Sequence, residues 1–357
     1  QEWLESNYRP LAFMKRMYKT LEPLIWQMMS DCLEACRGSQ AVLFGVISAF
    51  AGLTIAEKLG IQPIPALKQH VHPTREYPCG MVMPSISLGR WYNRLTYPIG
   101  YQIYWQVLRS LVNRWRTALD MPPQSLQGPI DDLLRRRLPC LYGFSPHVIP
   151  RPSEWGDEVY INGYWMLEEE EDWSPPEDLL RFLDRGPQPV YIGFGSMHTR
   201  NAIGTACVAL EALQITGQRG VLMNGWSGIA DGLSQYGDAS RVFGIDFAPH
   251  EWLFPRMALV VHHGGSGTTA AGLKAGKPSV LVPFFADQPY WGWHVQRLKV
   301  GPRPIPSNSF NVQRLVEALE TVMSDPQMQE RAAQMGEKLC QENGVQNAVH
   351  AVQKILW

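Results

Sequence analysis

Short runs of hydrophobic residues alternate with stretches of helical spacing through the second half of the chain. The hydrophobic runs predict strands at residues 189–193, 220–223, 241–245, 259–262 and 279–283. Helical spacing predicts helices at residues 202–216, 268–275, 312–323, 326–342 and 345–356. Because strands and helices alternate in this way in parallel sheets covered by helices on both faces, the sequence predicts an α/β fold.

The first half contains one similar strand–helix unit within a less regular pattern. Residues 41–46 predict a buried strand, which runs through a Ser/Gly turn into a helix ending near Leu59. Gly60 stops that helix, and residues 61–64 start the next strand. The remaining pattern predicts helices at residues 10–36 and 92–119 and a long loop at residues 65–90.

An acidic segment separates the two halves. Residues 167–176 (LEEEEDWSPP) combine a run of carboxylates with two prolines, which is typical of an exposed linker. A metal site in this run is the alternative, but a solvated charge run is favoured. The sequence therefore predicts a first domain, a linker, a second domain and a final helix, with boundaries at residues 1–166, 167–186, 187–344 and 345–357.

Composition and charge narrow the possible functions. The 357 residues include 32 basic and 33 acidic side chains, a balance that argues against a nucleic-acid-binding protein. A hydrophobic content of 45% excludes a largely disordered chain. Six cysteines form neither a disulfide scaffold nor a zinc pattern, so no metal site is predicted. The longest apolar stretch, residues 41–56, is short for a membrane span and is interrupted by small polar residues.

The most informative chemistry lies at residues 260–269 (VVHHGGSGTT), where a strand enters a Gly/Ser/Thr turn before a helix. Such a turn directs backbone N–H groups and a helix N-terminus at one point, which favours a phosphate. Glycines let the backbone approach a bulky anion. The turn lacks the GK[ST] ending of a P-loop, and an ordinary tight strand–helix turn is the alternative.

Other polar loops follow neighbouring strands and should meet at the same edge of the sheet. Asp287 and Gln288 offer a carboxylate and an amide suited to sugar hydroxyls, and Ser196 follows the strand at residues 189–193. Trp226 and Phe247 could stack on a nucleotide base, although packing is the more common use of a single aromatic side chain.

Residues 248–292 (APHEWLFPRMALVVHHGGSGTTAAGLKAGKPSVLVPFFADQPYWG) resemble the donor-binding signature of GT-B nucleotide-sugar glycosyltransferases of the family 1 type. They are most similar to the branch of sterol glucosyltransferases and bacterial antibiotic glycosyltransferases. Softer matches are PVYIGFGSM at residues 189–197, IAEKLGI at 55–61 and PTREYP at 73–78. The resemblance implies two Rossmann-like domains that face each other across a cleft. The first domain would bind the acceptor and the second the donor, and the final helix would return to the first.

The resemblance also implies roles for individual residues. His263 matches the histidine that contacts the donor diphosphate, and Ser196 lies in a loop that faces it. Phe247 falls where an aromatic side chain stacks on uracil, whereas His250 replaces a glutamine of the plant signature. The remaining implied donor contacts are Gly265, Gly267 and Thr268 at the diphosphate and Asp287 and Gln288 at the sugar hydroxyls.

The implied activity is inverting, metal-independent transfer of a hexose, glucose from UDP-glucose, to a hydroxyl of a lipophilic acceptor such as a sterol, terpenoid or polyketide. The nucleotide sugar is a co-substrate, and no cofactor is expected. The expected location is the cytoplasm, with peripheral membrane contact through a basic and aromatic start at residues 8–19. A solvated helix face is the alternative reading of that start.

The general base is the missing part of this assignment. The chain begins at Gln1 in helical sequence, so we expect a first domain that lacks its first βα units and, with them, the base. His70, His72 and His147 are weak candidates for it, and the first two could also form a metal pair. A non-catalytic nucleotide-sugar-binding homologue is the main alternative function, and an epimerase of the same architecture is a further one.

Overall fold

A computed structural model describes residues 10–80, 87–166, 173–195, 197, 202–224 and 240–357. The chain forms two compact units. Unit 1 comprises Gln1–Pro146, Arg151–Gly163 and Gly344–Trp357, and unit 2 comprises His147–Pro150 and Tyr164–Asn343.

Unit 1 is built on a four-stranded parallel sheet of order β1-β2-β3-β4. Its strands are β1 (Ala41–Phe44), β2 (Gln62–Leu67), β3 (Cys140–Tyr142) and β4 (Val159–Ile161). Its first four helices are α1 (Pro10–Ala35), α2 (Ala49–Leu59), α3 (Arg90–Ala118) and α4 (Pro129–Arg135). Trp105 and Trp115 of α3 pack with Met29 of α1 and Phe50 of α2 in the core between the helices.

Unit 2 is built on a five-stranded parallel sheet of order β7-β6-β5-β8-β9. The strands are β5 (Val190–Gly193), β6 (Gly220–Met223), β7 (Val242–Ile245), β8 (Leu259–His262) and β9 (Ser279–Leu281). The helices are α5 (Glu177–Asp184), α6 (Ala202–Ile215), α7 (His250–Leu253), α8 (Ser266–Lys274), α9 (Gln288–Arg297), α10 (Val312–Met323) and α11 (Pro326–Cys340).

The hydrophobic runs of unit 2 are continuous because helices cover both faces of its sheet. Ile192 and Val261 point into one core, which also contains side chains from α6 and α10. Tyr191 and Val260 point into a second core, which also contains side chains from α5 and the segment around Phe254. Consecutive residues of one strand are therefore buried on opposite faces.

The last helix, α12 (Gly344–Leu356), belongs to unit 1. Asn347 Nδ2 donates a hydrogen bond of 3.0 Å to the carbonyl of Asn162, which follows β4. Ala351 is buried on the same helix. Of the helices in the described parts of the chain, none is long and apolar enough to cross a bilayer.

Several elements differ from the sequence expectation. β2 continues to Leu67, inside the stretch expected to be a loop from residue 65, because Pro63 and Pro65 masked its strand pattern. α5 occupies part of the expected linker, since Leu179 and Phe182 give a short charged segment one buried face. Three-residue strands β3 and β4 and helix α9 were not predicted at all.

Candidate functional site

The carboxyl ends of four strands of unit 2 lie side by side. Gly193 at the end of β5 pairs with Met223 of β6 and His262 of β8, and His262 pairs with Leu281 of β9. The loops that follow these strands therefore leave the sheet along one edge, where open parallel sheets bind their ligands.

His262, the last residue of β8, holds the turn that follows it. The imidazole is fully buried, and its Nδ1 accepts a 3.0 Å hydrogen bond from the backbone N–H of Gly264. Burial lowers the pKa of His262 well below its usual value, so the ring is neutral. Gly264 has a φ of 87°, and a Cβ there would lie 3.0 Å from the carbonyl oxygen of Gln288. This position therefore requires glycine.

His263 lies where the loops after β5 and β8 meet. A Cβ on Gly265 would lie 2.5 Å from His263 Nε2, and one on Gly195, whose φ is 58°, would lie 3.2 Å from Cε1. Burial lowers the pKa of His263, although the carboxylate of Asp287 opposes that shift. A neutral imidazole can donate one hydrogen bond and accept another. His263 Nδ1 has no hydrogen-bond partner among the described residues.

The N-terminus of α8 begins beside His263. The backbone N–H of Thr269 donates to the carbonyl of Gly265 and forms the first hydrogen bond of the helix. The N–H groups of residues 266–268 therefore have no acceptor within the helix. Gly267 is exposed, and no atom lies within 4 Å of the point where its Cβ would be. Thr268 is half-buried, and the buried Oγ1 of Thr269 lacks a partner among the described residues. Open donors at a helix N-terminus form an anion-binding site.

Asp287 and Gln288 open α9 but have different environments. Asp287 is half-buried, and its Oδ2 accepts a 2.9 Å hydrogen bond from Trp291 Nε1. Gln288 is buried, and its Oε1 accepts the backbone N–H groups of Phe284 at 2.7 Å and Phe285 at 3.3 Å. Its Nε2 donates to Met197 Sδ at 3.2 Å, which joins the loop after β9 to the loop after β5. Asp287 is thus the better placed of the two to contact a ligand.

The structure describes only some of the other residues predicted to contact the donor. Ser196 and Trp226 lie outside the described residues. Phe247 follows β7 and is exposed, as a side chain that stacks on a base must be. His250 stacks on Phe254 with ring centroids 4.4 Å apart, and burial lowers its pKa to about 4. His250 therefore packs against a phenylalanine in the second core of unit 2.

Sequence reasoning missed the supporting roles of His262, Gly195 and Gln288. The pair of adjacent histidines was a usable signal for the role of His262. A residue that ends a buried strand is expected to be buried, whereas the next residue, in the loop, is expected to be more exposed. The bond from Gln288 to Met197 had no sequence signal, because the two residues are 91 positions apart along the chain.

In unit 1, His70 and His72 lie in the loop after β2, and both rings are buried. Tyr142 Oη accepts the N–H groups of Val71 and His72, so its own proton goes to His72 Nδ1, 2.6 Å away. Tyr97 Oη donates to the carbonyl of Tyr77 and is 2.6 Å from His70 Nε2. The two histidines are therefore held in a tyrosine network instead of as a metal pair. His147 belongs to unit 2, with Nε2 3.9 Å from Glu342.

Within the described residues, no group of three or more His, Cys, Asp or Glu side chains is arranged to hold a metal ion. Among the described residues, the groups at the sheet edge of unit 2 include backbone donors, the neutral His263 ring and the carboxylates of Asp246 and Asp287.

Comparison with known proteins finds relatives of similar sequence and solved structures of similar fold. Residues 230–354 match the family model described as "Erythromycin biosynthesis protein CIII-like, C-terminal domain". The chain is 35% identical over 362 residues to a sterol 3-beta-glucosyltransferase of Emericella nidulans, a match that covers 99% of this chain and 25% of that relative. It is 33% identical over 354 residues to the sterol 3-beta-glucosyltransferase UGT80B1 of Arabidopsis thaliana, covering 96% of this chain and 56% of that relative.

The chain thus spans about a quarter of the fungal relative and just over half of the plant relative. Among solved structures, the glycotransferase of kitacinnamycin superposes with a TM-score of 0.70 at 17% identity, over 99% of this chain and 84% of that chain. The calicheamicin glycosyltransferase CalG4 superposes with a TM-score of 0.67 at 17% identity, over 99% and 82% of the two chains. At this identity the likeness shows the fold, which is α/β with a parallel sheet in each of two domains.

The chain therefore has the GT-B glycosyltransferase fold, and over nearly its whole length its sequence is similar to that of sterol 3-beta-glucosyltransferases.

Proposed function

We propose that this protein transfers a hexose, glucose from UDP-glucose, to a hydroxyl group of a lipophilic acceptor of the sterol, terpenoid or polyketide type. The observation that carries the proposal is the turn after β8, where a left-handed Gly264 sets His263 beside the open N-terminus of α8. The sequence relatives are sterol 3-beta-glucosyltransferases, which supports glucose as the sugar and a sterol-like acceptor.

In this proposal the donor diphosphate lies at the N-terminus of α8. The backbone N–H groups ahead of Thr269, the Thr268 hydroxyl and the His263 ring supply its hydrogen bonds. Asp287 accepts hydrogen bonds from sugar hydroxyls, and Gln288 holds the loop that carries Asp287. Exposed Phe247 stacks on the uracil, with Ser196 and Trp226 as further donor contacts proposed from sequence alone.

The proposed reaction is a single displacement that inverts the anomeric carbon. The acceptor oxygen forms a bond to that carbon while the bond to the diphosphate oxygen breaks, and the acceptor proton passes to a general base. Negative charge grows on the departing diphosphate. Donors fixed at a helix N-terminus stabilise such charge without reorganising, and this mechanism needs no metal ion. Neither His70 nor His72 is proposed as the base, because both rings are buried in the tyrosine network.

The proposed location is the cytoplasm, where nucleotide sugars are available to a protein with peripheral membrane contact. The basic and aromatic start considered for that contact begins outside the described residues, so it stays a proposal from sequence.

The test is replacement of His263 by Ala, with UDP affinity measured by calorimetry and glucosyl transfer measured on a sterol acceptor. Loss of a hydrogen bond to a charged phosphate should weaken UDP binding about 10- to 100-fold. His147→Ala, at another partly exposed histidine of unit 2, is the matched control and should leave UDP affinity unchanged. Unchanged UDP affinity in the His263 variant would contradict the diphosphate assignment. Tight UDP-glucose binding without transfer to any acceptor would instead favour the non-catalytic alternative.

A further inference from the structure

The first half of α3 exposes a continuous apolar stripe. Trp91, Leu95, Ile99 and Ile103 recur every four residues, and their exposed fractions are 79%, 60%, 48% and 39%. Residues four apart lie on the same face of a helix, so these side chains form one line. At 1.5 Å per residue the line is about 18 Å long. We call these four residues the α3 stripe.

The fold of unit 1 does not need the α3 stripe. The opposite side of the same helix is buried, and there Tyr97 and Tyr101 bond to the segment that follows β2. The helix is therefore anchored by its polar aromatic side, while its apolar side faces out. A row of large exposed apolar side chains on a soluble protein marks a surface that binds something.

Arginines flank the start of the α3 stripe. Residues 87–108, all within the described chain, contain two arginines and no Asp, Glu or Lys. Arg90 and Arg94 are exposed beside the start of the stripe. The guanidinium of Arg75 lies 4.9 Å from the ring centroid of Trp91. The nearest carboxylate before the stripe in sequence is the exposed Glu76, and Glu154 lies 3.8 Å from Arg75.

We propose that the α3 stripe docks this protein on a bilayer surface that contains anionic lipids. An apolar helix face with arginines along it lies in the plane of the interface, with its apolar side chains among the acyl chains. Tryptophan favours the headgroup level, and arginine side chains reach lipid phosphates while their stems cover apolar surface. The proposal does not depend on the donor site or on glucosyl transfer, since it concerns unit 1 alone.

Vesicle flotation without any nucleotide sugar tests this docking. Vesicles of phosphatidylcholine and phosphatidylserine at about 7:3 should bind the protein, and pure phosphatidylcholine vesicles should bind it more weakly. The double variant Leu95→Ser, Ile99→Ser removes the centre of the stripe and should lower partitioning about tenfold. Arg90→Gln should weaken binding to the anionic vesicles only, and added salt should abolish the difference between the two vesicle types.

Val349→Ser is the matched control, because Val349 is 48% exposed on α12, a different helix of unit 1, and should not affect vesicle binding. All variants change exposed side chains, and an unchanged melting temperature confirms that they fold. Equal partitioning of the double variant and the unaltered protein would overturn the proposal. Concentration-dependent dimerisation without vesicles, lost in the double variant, would also overturn it, because the stripe would then bind a second copy of the chain.

Discussion

His262 and His263 show how two adjacent identical residues acquire different roles. His262 ends a buried strand, and its Nδ1 is used by Gly264. His263 is the first residue outside the strand and keeps a ring nitrogen without a partner among the described residues. The family resemblance implies the second histidine as the ligand contact, and this stays a prediction; of the two rings, His262 is fully buried and His263 is partly exposed. The support that His262 gives the turn follows from burial, which a single sequence does not show.

Replacement by alanine should affect stability at one glycine of this region, Gly264, and not at another, Gly267. Gly264→Ala puts a side chain at a φ of 87° and 3.0 Å from a carbonyl oxygen, so we expect a loss of about 1–3 kcal/mol in the free energy of unfolding. Gly267→Ala places a methyl group in open space at a helix start and should leave stability unchanged. It should nevertheless weaken UDP binding, because the methyl group occupies the proposed anion site. Urea unfolding and calorimetry measure the two effects separately, and equal UDP affinity in Gly267→Ala would place the diphosphate elsewhere.

Asp287 and Gln288 should separate in the same kind of experiment. Asp287→Ala should weaken UDP-glucose binding more than UDP binding, because the proposed contact is with the sugar. Gln288→Ala should lower the melting temperature as well, since it leaves the N–H groups of Phe284 and Phe285 without their acceptor. Gln288→Glu keeps the acceptor oxygen and should restore part of that loss. A variant of Asp287 that weakens UDP and UDP-glucose equally would contradict the sugar contact.

At the scale of elements, the sequence predicted the strands of unit 2 and β1 of unit 1, but it shortened β2 and did not predict β3 or β4. Strands β5, β6, β8 and β9 are buried on both faces, so each appears as a hydrophobic run between turn residues. β3 and β4 have three residues each, too few to show any periodicity. The β2 strand contains two prolines, which normally argue against a strand. Helix α9 begins with Gln288-Pro289 and is rich in aromatic side chains, so its helical spacing is concealed.

The buried histidines after β2 should make the stability of unit 1 depend on pH. Burial lowers the pKa of His70 to about 3 and that of His72 to about 4, whereas the unfolded chain takes up these protons near pH 6.5. The unfolded state therefore binds more protons, and stability is lost as the pH falls from 6.5 toward 4. Each histidine should contribute a slope of about 1.4 kcal/mol per pH unit in that window.

His72→Asn tests this slope while retaining an acceptor for the Tyr142 hydroxyl. The free energy of unfolding is measured by urea unfolding between pH 7 and pH 4.5 and by hydrogen exchange of β2 and β3. In the variant, the slope of this free energy against pH should be smaller by the contribution of about one proton. A slope identical to that of the unaltered protein would mean that His72 is protonated in the folded state.

At the scale of the whole molecule, the last helix, α12, belongs to unit 1, although the residues directly before it belong to unit 2. Deletion of residues 344–357 removes α12, including buried Ala351 and the bond from Asn347 to Asn162. We expect faster hydrogen exchange in β4 of unit 1 and unchanged exchange in β8 of unit 2. Asn347→Ala should reproduce a small part of the effect, about 1 kcal/mol. Faster exchange in β8 alone would contradict the assignment of α12 to unit 1.

The contact between Gly264 and the Gln288 backbone, together with the bonds of the Gln288 side chain, has a consequence for how donor preference can change. These contacts tie the turn after β8, the loop after β9 and Met197 into one fixed frame. Asp287 is attached to that frame but is not one of its supports. In the proposed donor binding, substitutions at position 287 should change which sugar is accepted while Gln288 keeps both loops in place, so an engineer seeking a new hexose should vary Asp287 and leave Gln288 unchanged.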